Sequence, residues 1–372
     1  MKILIINAIL YTAESSHIQR QETIKDTMIY DLCLAFHEEG HTVELLAGEP
    51  WRPPQDESYP FRIIWGKCAF PHIFLPHRLP CVLETADIVR EGNYDLIISS
   101  EVFSINTFLA YREARERVLA WHELSKHNAL FKQIPSRIWY NVVAKRLMRN
   151  LRVVARSTEA RTFISAYCPN TESVIIDHGV NLDKFQTSKE RKKQFAVCSQ
   201  LIKRKRIDGI LRTFQQWILT NGGDTKLIII GDGEEKDSLR MKSQKLGLTN
   251  HVVFMGHLQH KDMIPILADS QALLVNTEKD NNMVFIIEAI ALGVPVLTTT
   301  VPLNASYILR ERLGIAKDGW GVQELSEIVR NHDDYVKNCL RYRERLSTKE
   351  RVKAFIQIAG SHFPERDKFS IK

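Results

Sequence analysis

Two rhythms of apolar and polar positions take turns along the chain. Short apolar runs of strand length come first: KILIINAIL (2–10), TVELLA (42–47), DLIISS (95–100) and RVLAWH (117–122). Longer stretches with helical spacing lie between them. One, near 19–40, ends at Gly40, which closes a helix well because it has no Cβ to oppose the left-handed conformation. VVARS and SVIIDHGV finish the first half. The stretch 49–80, with WRPPQDESYPF and FPHIFLPHRLP, is rich in Pro and aromatic residues and reads as irregular surface loop.

The pattern then restarts. FAVCSQL, TKLIIIGDG, HVVFMGHL, QALLVN and VPVLTTT read as strands. IDGILRTFQQWILTN, EKDSLRMKSQKLGL, KDMIPILADS and VFIIEAIAL read as the helices between them. Alternation of this kind predicts two successive α/β units with parallel sheets. The charged run LDKFQTSKERKK (182–193) is the expected join. No repeat of fixed period is present.

One stretch of the second half, 271–300, concentrates the chemistry. It runs strand, loop, helix, strand, and its helix is apolar all round except for Glu288. A lone carboxylate there is costly to bury unless something hydrogen-bonds it. Eight residues earlier, in the loop at a strand's C-terminal end, sits Asp280. In an open α/β sheet ligands bind at that edge, and a helix start with free N–H groups suits a phosphate. Two acids flanking such a start suit a ligand with hydroxyls and phosphates, such as a sugar nucleotide. From these residues alone a second reading stands equally: Asp280 a loop or cap residue, Glu288 a core carboxylate with a side-chain partner.

Length changes the picture little, since 372 residues suit two domains. The opening run carries Asn7, lacks a small-residue cleavage site and reads as a first buried strand rather than a signal segment. No run has the apolar length that spans a bilayer. The six cysteines lack paired or metal-type spacing and suit a reducing, cytoplasmic setting.

Charge adds more, with a net +7 and much of the excess between Arg112 and Arg161. There RIWYNVVAKRLMRNLRVVAR interleaves apolar residues with Arg137, Lys145, Arg146, Arg149 and Arg152, which predicts a basic amphipathic helix over 137–156. Such a helix lies on an anionic membrane surface or packs its stripe on a sheet and solvates its charges. No nucleic-acid-binding motif accompanies it, so nucleic acid is not an expected partner.

Several segments, in order, resemble the family-4 retaining glycosyltransferases of the GT-B fold (the group-1 glycosyl transferases). DHGVNLDKF resembles their interdomain motif, IIIGDG through LLVNT resembles the middle of their donor domain, and 280–297 resembles their acid-x7-Glu signature followed by EAIALGVPVL. The likeness is good over about 174–300 and looser before it. It implies an α/β, GT-B architecture: two Rossmann-like doubly wound domains facing across a cleft. Residues 1–183 would form the acceptor domain and 184–349 the donor domain, with a C-terminal helix over 350–372 crossing back to the first.

The resemblance also assigns roles. Glu288 would bind the nucleotide's ribose hydroxyls, and Asp280 the hydroxyls of the transferred sugar. Backbone at Asn281, Asn282, Met283 and Val284 would hold sugar and phosphate. Lys205 would neutralise the diphosphate, with Gln200 where the family has a partner Arg. Met255 to His257 would read the base, and His122 would lie beside the donor sugar. The family's reaction needs no side-chain nucleophile, metal or other cofactor.

Three departures stand out. Asp280 replaces a Glu, 281–283 lacks the family's glycines, and so does the first loop, AILYTAESSH. The expected protein is a cytoplasmic, membrane-peripheral retaining hexosyltransferase of surface polysaccharide or lipopolysaccharide synthesis. Its expected partners are a nucleoside diphosphate sugar, a glycan or polyprenyl-linked acceptor and an anionic membrane face. The departures leave two alternatives open: a non-catalytic nucleotide-sugar or glycan-binding remnant, and a GT-B sugar-nucleotide epimerase. A nicotinamide oxidoreductase is not supported, because no G-x-G-x-x-G follows the first strand.

Overall fold

The computed structural model describes residues 1–11, 18, 20–74, 77–280 and 282–360. They fall into two compact units. The first is Met1–Gly179 together with the C-terminal segment from Thr348, and the second is Val180–Ser347.

The first unit carries a seven-stranded sheet. Its strands are β1 (Lys2–Ile6), β2 (Thr42–Gly48), β3 (Arg62–Gly66), β6 (Leu96–Ser100), β7 (Val118–His122), β8 (Arg152–Ala155) and β9 (Thr171–Ile175). A two-stranded insert, β4 (Cys68–Ala69) and β5 (Cys81–Val82), interrupts the series. The order is β3-β2-β1-β6-β7-β8-β9, and every pairing is parallel. The near-continuous apolar strands follow from burial on both faces. Ile3 and Ile5 join one core with Leu45, while Leu4 and Ile6 join another with Leu46 and Ile97. The helix Thr348–Gly360 belongs to the first of these cores through Val352, Phe355, Ile358 and Ala359. A Cβ on Gly179 would stand 2.8 Å from Thr348 Cα, so the returning backbone comes in where only glycine leaves room.

The second unit repeats the plan with β10 (Gln194–Cys198), β11 (Lys226–Ile230), β12 (Val252–Gly256), β13 (Ala272–Leu274), β14 (Val296–Thr298) and β15 (Gly314–Ala316). Their order, β12-β11-β10-β13-β14-β15, is parallel throughout. Both sheets therefore run outward from a first strand and then back to its other side, the doubly wound order. The order reverses between β1 and β6 in one unit and between β10 and β13 in the other. The helix Val284–Ala291 anchors the second core, with Ile286, Ile287, Ala289 and Ile290 fully buried. Each such isoleucine contributes about 1.5–3 kcal/mol.

Three sequence expectations change. The helix expected over 19–40 begins only at Met28, where Thr27 accepts the Tyr30 N–H, and it ends at Glu38. The stretch 49–80 is not all loop: Arg62–Gly66 pairs in register with Glu44–Gly48 as an edge strand. The basic helix stops early. It runs Ile134–Ile138 and continues as a π-helical segment Trp139–Leu147, after which Arg152–Ala155 is strand. The β-branched run Val153–Val154 prefers a pleated, buried position over a helix face.

Candidate functional site

In the second unit the reversal of strand order brings together the loops that follow β10 and β13. Ser199 to Arg206 leaves β10, and Lys203–Lys205 forms a single tight turn. That turn is tied to the loop after β13: the Glu278 N–H donates to Arg204 O at 2.9 Å, and Arg204 Nη1 donates to Lys279 O at 2.6 Å. From below, the GDG loop after β11 presses on the same strand end. Gly231, at φ +138°, lies so close that a Cβ would fall 1.8 Å from Ser199 O.

Asp280 sits at the centre of this junction. Its Oδ1 accepts from Arg204 at 3.0 Å, and its Oδ2 accepts from Lys205 at 2.7 Å and Thr277 at 2.5 Å. Burial pushes its carboxyl up, but the bonds from Lys205, Thr277 and Arg204 outweigh that and hold it below the usual aspartate range. Both oxygens are engaged. The sequence expected this acid to meet a sugar and Lys205 to meet a diphosphate; here the two are bound to each other. Gln200 is exposed on the same loop.

The helix Val284–Ala291 starts just beyond. The Met283 N–H donates to Asn304 Oδ1 at 2.6 Å, and Asn304 in turn donates to the Tyr307 hydroxyl at 2.7 Å. The Met283 amide is thus occupied, which departs from the expectation that it holds an anion. The Ile286 N–H turns back to Met283 O, so the amides of Val284 and Phe285 are those the helix start leaves outward. Asn282 Nδ2 is buried without a hydrogen-bond partner among the described residues. Asn281 lies outside the described residues.

Glu288, one helical turn further, is 5% exposed. Its Oε1 stands 2.8 Å from His260 Nε2. Its Oε2 is buried and has no hydrogen-bond partner among the described residues. A buried carboxylate oxygen in that state costs stability that a ligand hydroxyl would recover. Met255 and His257 lie on and just past the edge strand β12, both exposed.

The first unit has its own polar cluster at the corresponding sheet edge. His122 ends β7 fully buried, its ring stacked 6.2 Å from Phe163, so in this structure it presents no surface to a ligand. Its Nδ1 lies 2.8 Å from Glu101 Oε2. Glu101 follows β6 with φ +68°, a conformation rare for a non-glycine, and its Oε1 accepts the Glu123 N–H at 2.7 Å. Arg156, after β8, donates to Glu123 Oε2 at 2.9 Å, lies 3.2 Å from His178 Nε2 and stacks 3.7 Å over Trp121. Burial would raise the Glu123 carboxyl, but His178 and Arg156 push it down to about 2. Sequence reasoning found only His122 here. Glu101, Glu123, Arg156 and His178 come from four separate strand ends, and no spacing announces them. His260 was missed because it opens a helix of its own, 28 residues before its partner.

Residues 26–184 match the Glycosyltransferase Family 4 model, and residues 181–351 match the model of glycosyl transferases group 1. A mannosyltransferase of Mycolicibacterium smegmatis, GDP-mannose-dependent and acting on phosphatidylinositol monomannoside, is 26% identical over 195 residues, covering 47% of this chain and 50% of that protein. An N-acetyl-alpha-D-glucosaminyl L-malate synthase of Bacillus anthracis is 29% identical over 112 residues, 30% of this chain and 28% of that protein. The match thus spans half or less of either relative's length.

Among solved structures, HepE of Anabaena in complex with UDP and glucose superposes with a TM-score of 0.66 at 17% identity, covering 97% of this chain and all of that one. WaaG, a glycosyltransferase involved in lipopolysaccharide biosynthesis, does so at 0.64 and 12%, covering 96% and 99%. The fold is GT-B.

Proposed function

The chain belongs to the family-4 glycosyltransferases, and from that premise we propose that it transfers a hexose-type sugar from a nucleoside diphosphate sugar to a glycan or lipid-linked acceptor, with retention of anomeric configuration. The observation that carries the proposal is the junction after β10 and β13. A cationic turn after β10 is tied to the loop after β13, and that loop leads into a helix start and a buried carboxylate whose Oε2 has no hydrogen-bond partner among the described residues. HepE bound to UDP and glucose is a relative in fold that supports this ligand class.

In the proposed reaction the bond from the sugar's anomeric carbon to the β-phosphate oxygen breaks, and a bond to the acceptor oxygen forms on the same face. The acceptor's proton passes to the departing phosphate. Negative charge grows on that phosphate, so pre-oriented donors near it lower the barrier. Lys205, Arg204 and the Val284 and Phe285 amides fill this role, while Glu288 accepts from the ribose. For Lys205 to serve the phosphate, its bond to Asp280 has to be shared or exchanged. Asp280 then keeps Lys205 in place before donor arrives and meets the sugar afterwards. His122, buried against Glu101, supports the acceptor side through that carboxylate. No metal is assigned a step, and EDTA is expected to leave turnover unchanged.

Release of nucleoside diphosphate from a panel of donor sugars tests the proposal. Donor binding without turnover on any acceptor would favour a non-catalytic remnant, and conversion of donor with no acceptor present would favour an epimerase. The pathway proposed is surface polysaccharide or lipopolysaccharide synthesis, at the cytoplasmic face of a membrane. No helix among the described residues is long and apolar enough to cross one.

A specific surface favours peripheral contact. Ile134, Ile138 and Val142 recur every fourth residue and are 57%, 57% and 43% exposed, with Phe131 70% exposed before them. Lys132, Arg137, Lys145, Arg146 and Arg149 surround them, all exposed. An exposed apolar stripe among bases suits an anionic lipid surface. Flotation with anionic liposomes at low salt reads this out, and protein left at the bottom of the gradient would remove the membrane from the proposal.

A further inference from the structure

We infer that His260 is a positioning residue for the donor: it holds the Glu288 carboxylate so that its free oxygen selects a ribose over a deoxyribose. The inference rests on the reading of Glu288 as the ribose-binding acid and names the group that makes that acid selective.

Glu288 lies in a helix whose other residues are apolar, on the inner side of a packed sheet. A carboxylate in such surroundings can rotate, take up a proton or be fixed by a donor. The structure shows the third. His260 Nε2 stands 2.8 Å from Oε1, which leaves Oε2 as the oxygen without a partner. The Cys198 thiol also lies near Glu288; burial, with that negative charge added, pushes the thiol up, so it stays neutral and adds no second negative charge beside the carboxylate.

His260 is itself fixed from two sides. It opens the helix His260–Ala268 behind an extended Gln259, whose carbonyl takes the Asp262 and Met263 N–H groups. Its ring meets the edge of buried Phe185 at 5.9 Å. A wedged imidazole therefore sets the rotation of a buried carboxylate, and that rotation decides where a hydroxyl can bond. An ionised carboxylate has about four lone-pair sites. With one used by His260, enough remain for the two neighbouring hydroxyls of a ribose. A deoxyribose leaves one of those sites buried and empty, so the site rejects it. Discrimination by a buried polar group left unpaired is stronger than discrimination by shape.

The test uses the full chain and measures dissociation constants for UDP and GDP beside their 2′-deoxy and 3′-deoxy counterparts. Whichever base binds tighter supplies the readout. Wild type is expected to prefer the ribonucleotide by about tenfold. His260→Phe keeps a ring against Phe185 but loses the N–H. It is expected to weaken the ribonucleotide to the level of one deoxy form while leaving that deoxy form unchanged. His260→Asn, which keeps an N–H donor, restores part of the preference, and His260→Ala repeats the loss should the Phe variant fold poorly.

A merely structural role would weaken all ligands alike, and that result overturns the inference. So does full ribose preference in His260→Phe while Glu288→Gln has lost it. Preference intact in Glu288→Gln overturns the ribose reading itself, and the two failures are told apart by which variant keeps the wild-type ratio.

Discussion

The two sheets reverse their strand order at corresponding places, and the side chains there are paired to different degrees. In the second unit the reversal lies between β10 and β13, and its key acid is left half-satisfied: Glu288 gives one oxygen to His260, and the other has no hydrogen-bond partner among the described residues. In the first unit the residues after β6, β7 and β8 bind mainly one another, although Glu101 Oε2, Arg156 Nε and His178 Nδ1 are also buried without a hydrogen-bond partner among the described residues. Glu101 takes the Glu123 N–H, Glu123 takes Arg156, and Arg156 lies flat on Trp121. Yet this network holds a residue at φ +68°, and backbone strain is kept where the surroundings over-determine it. One edge is poised to receive hydrogen bonds, while the other is a frame that orients what it holds. The same topology thus supports a candidate binding site and a scaffold.

The comparison breaks most readily at Glu288. Glu288→Ala removes the acceptor proposed for a ribose and should weaken nucleoside diphosphate binding by about 10–100-fold, the worth of a charge-assisted bond. Thermal shift at a ligand concentration near the wild-type dissociation constant should fall to near zero, because stabilisation follows the logarithm of one plus ligand concentration over its dissociation constant. An unchanged shift would mean that the free oxygen faces no ligand. Next comes Lys205→Ala, expected to cost about tenfold for diphosphates and little for nucleosides. It also leaves Asp280 with Arg204 and Thr277 alone, so Asp280→Asn in the same background should add little. Independent, additive losses would show that the two residues are not one unit.

How much of this was legible in the sequence differs between the two edges for a physical reason. In the second unit the acids, the loop and the helix start are contiguous, and an apolar helix with one glutamate reveals itself by its cost. The doubly wound architecture was legible too, since apolar strand runs alternate with helical stretches in both halves. What stayed hidden needed contact across the sheet. Arg156 and Ser100, 3.3 Å apart, are separated by 56 positions, and only strand order brings them together. His260 and the closure of Lys205 on Asp280 were hidden likewise, because sequence shows which charges exist but not which pair. The early stop of the basic helix had a visible cue in Val153–Val154, which helical spacing of the flanking charges masked.

The frame in the first unit should fail differently. Glu101→Gln is expected to lower turnover about tenfold while leaving the diphosphate thermal shift within error, since the change lies outside the unit proposed to bind the donor. A loss of donor binding equal to that of Lys205→Ala would collapse the distinction between the two edges. Glu123 offers a pH test. Its carboxyl is held at about 2, below the ordinary 4.5. A depressed carboxylate contributes stability that is full above its unfolded value and lost as pH falls towards the folded one. The contribution is about 3 kcal/mol. The wild-type thermal midpoint should therefore drop between about pH 5 and pH 2, and Glu123→Gln should flatten that slope at the cost of a lower midpoint near neutrality.

The smallest expected effect sharpens the comparison instead of breaking it. Gln200 is exposed on the loop after β10, five residues before Lys205. A glutamine there can donate only a neutral hydrogen bond to a diphosphate, whereas an arginine would bring a charge and a planar pair of donors. Lys205, the cation proposed for the diphosphate, donates to Asp280 at 2.7 Å, so serving a diphosphate would cost part of the binding free energy in loosening that bond. A second cation that Asp280 does not hold would meet the diphosphate without this cost. Because the position is exposed and salt-screened, the gain should be modest, about two- to fivefold in affinity. It should appear for diphosphates, vanish for nucleosides and shrink in high salt. Gln200→Arg with no gain at low salt would mean that the loop after β10 does not approach the phosphates, and Lys205 would then have to be read as a partner of Asp280 alone.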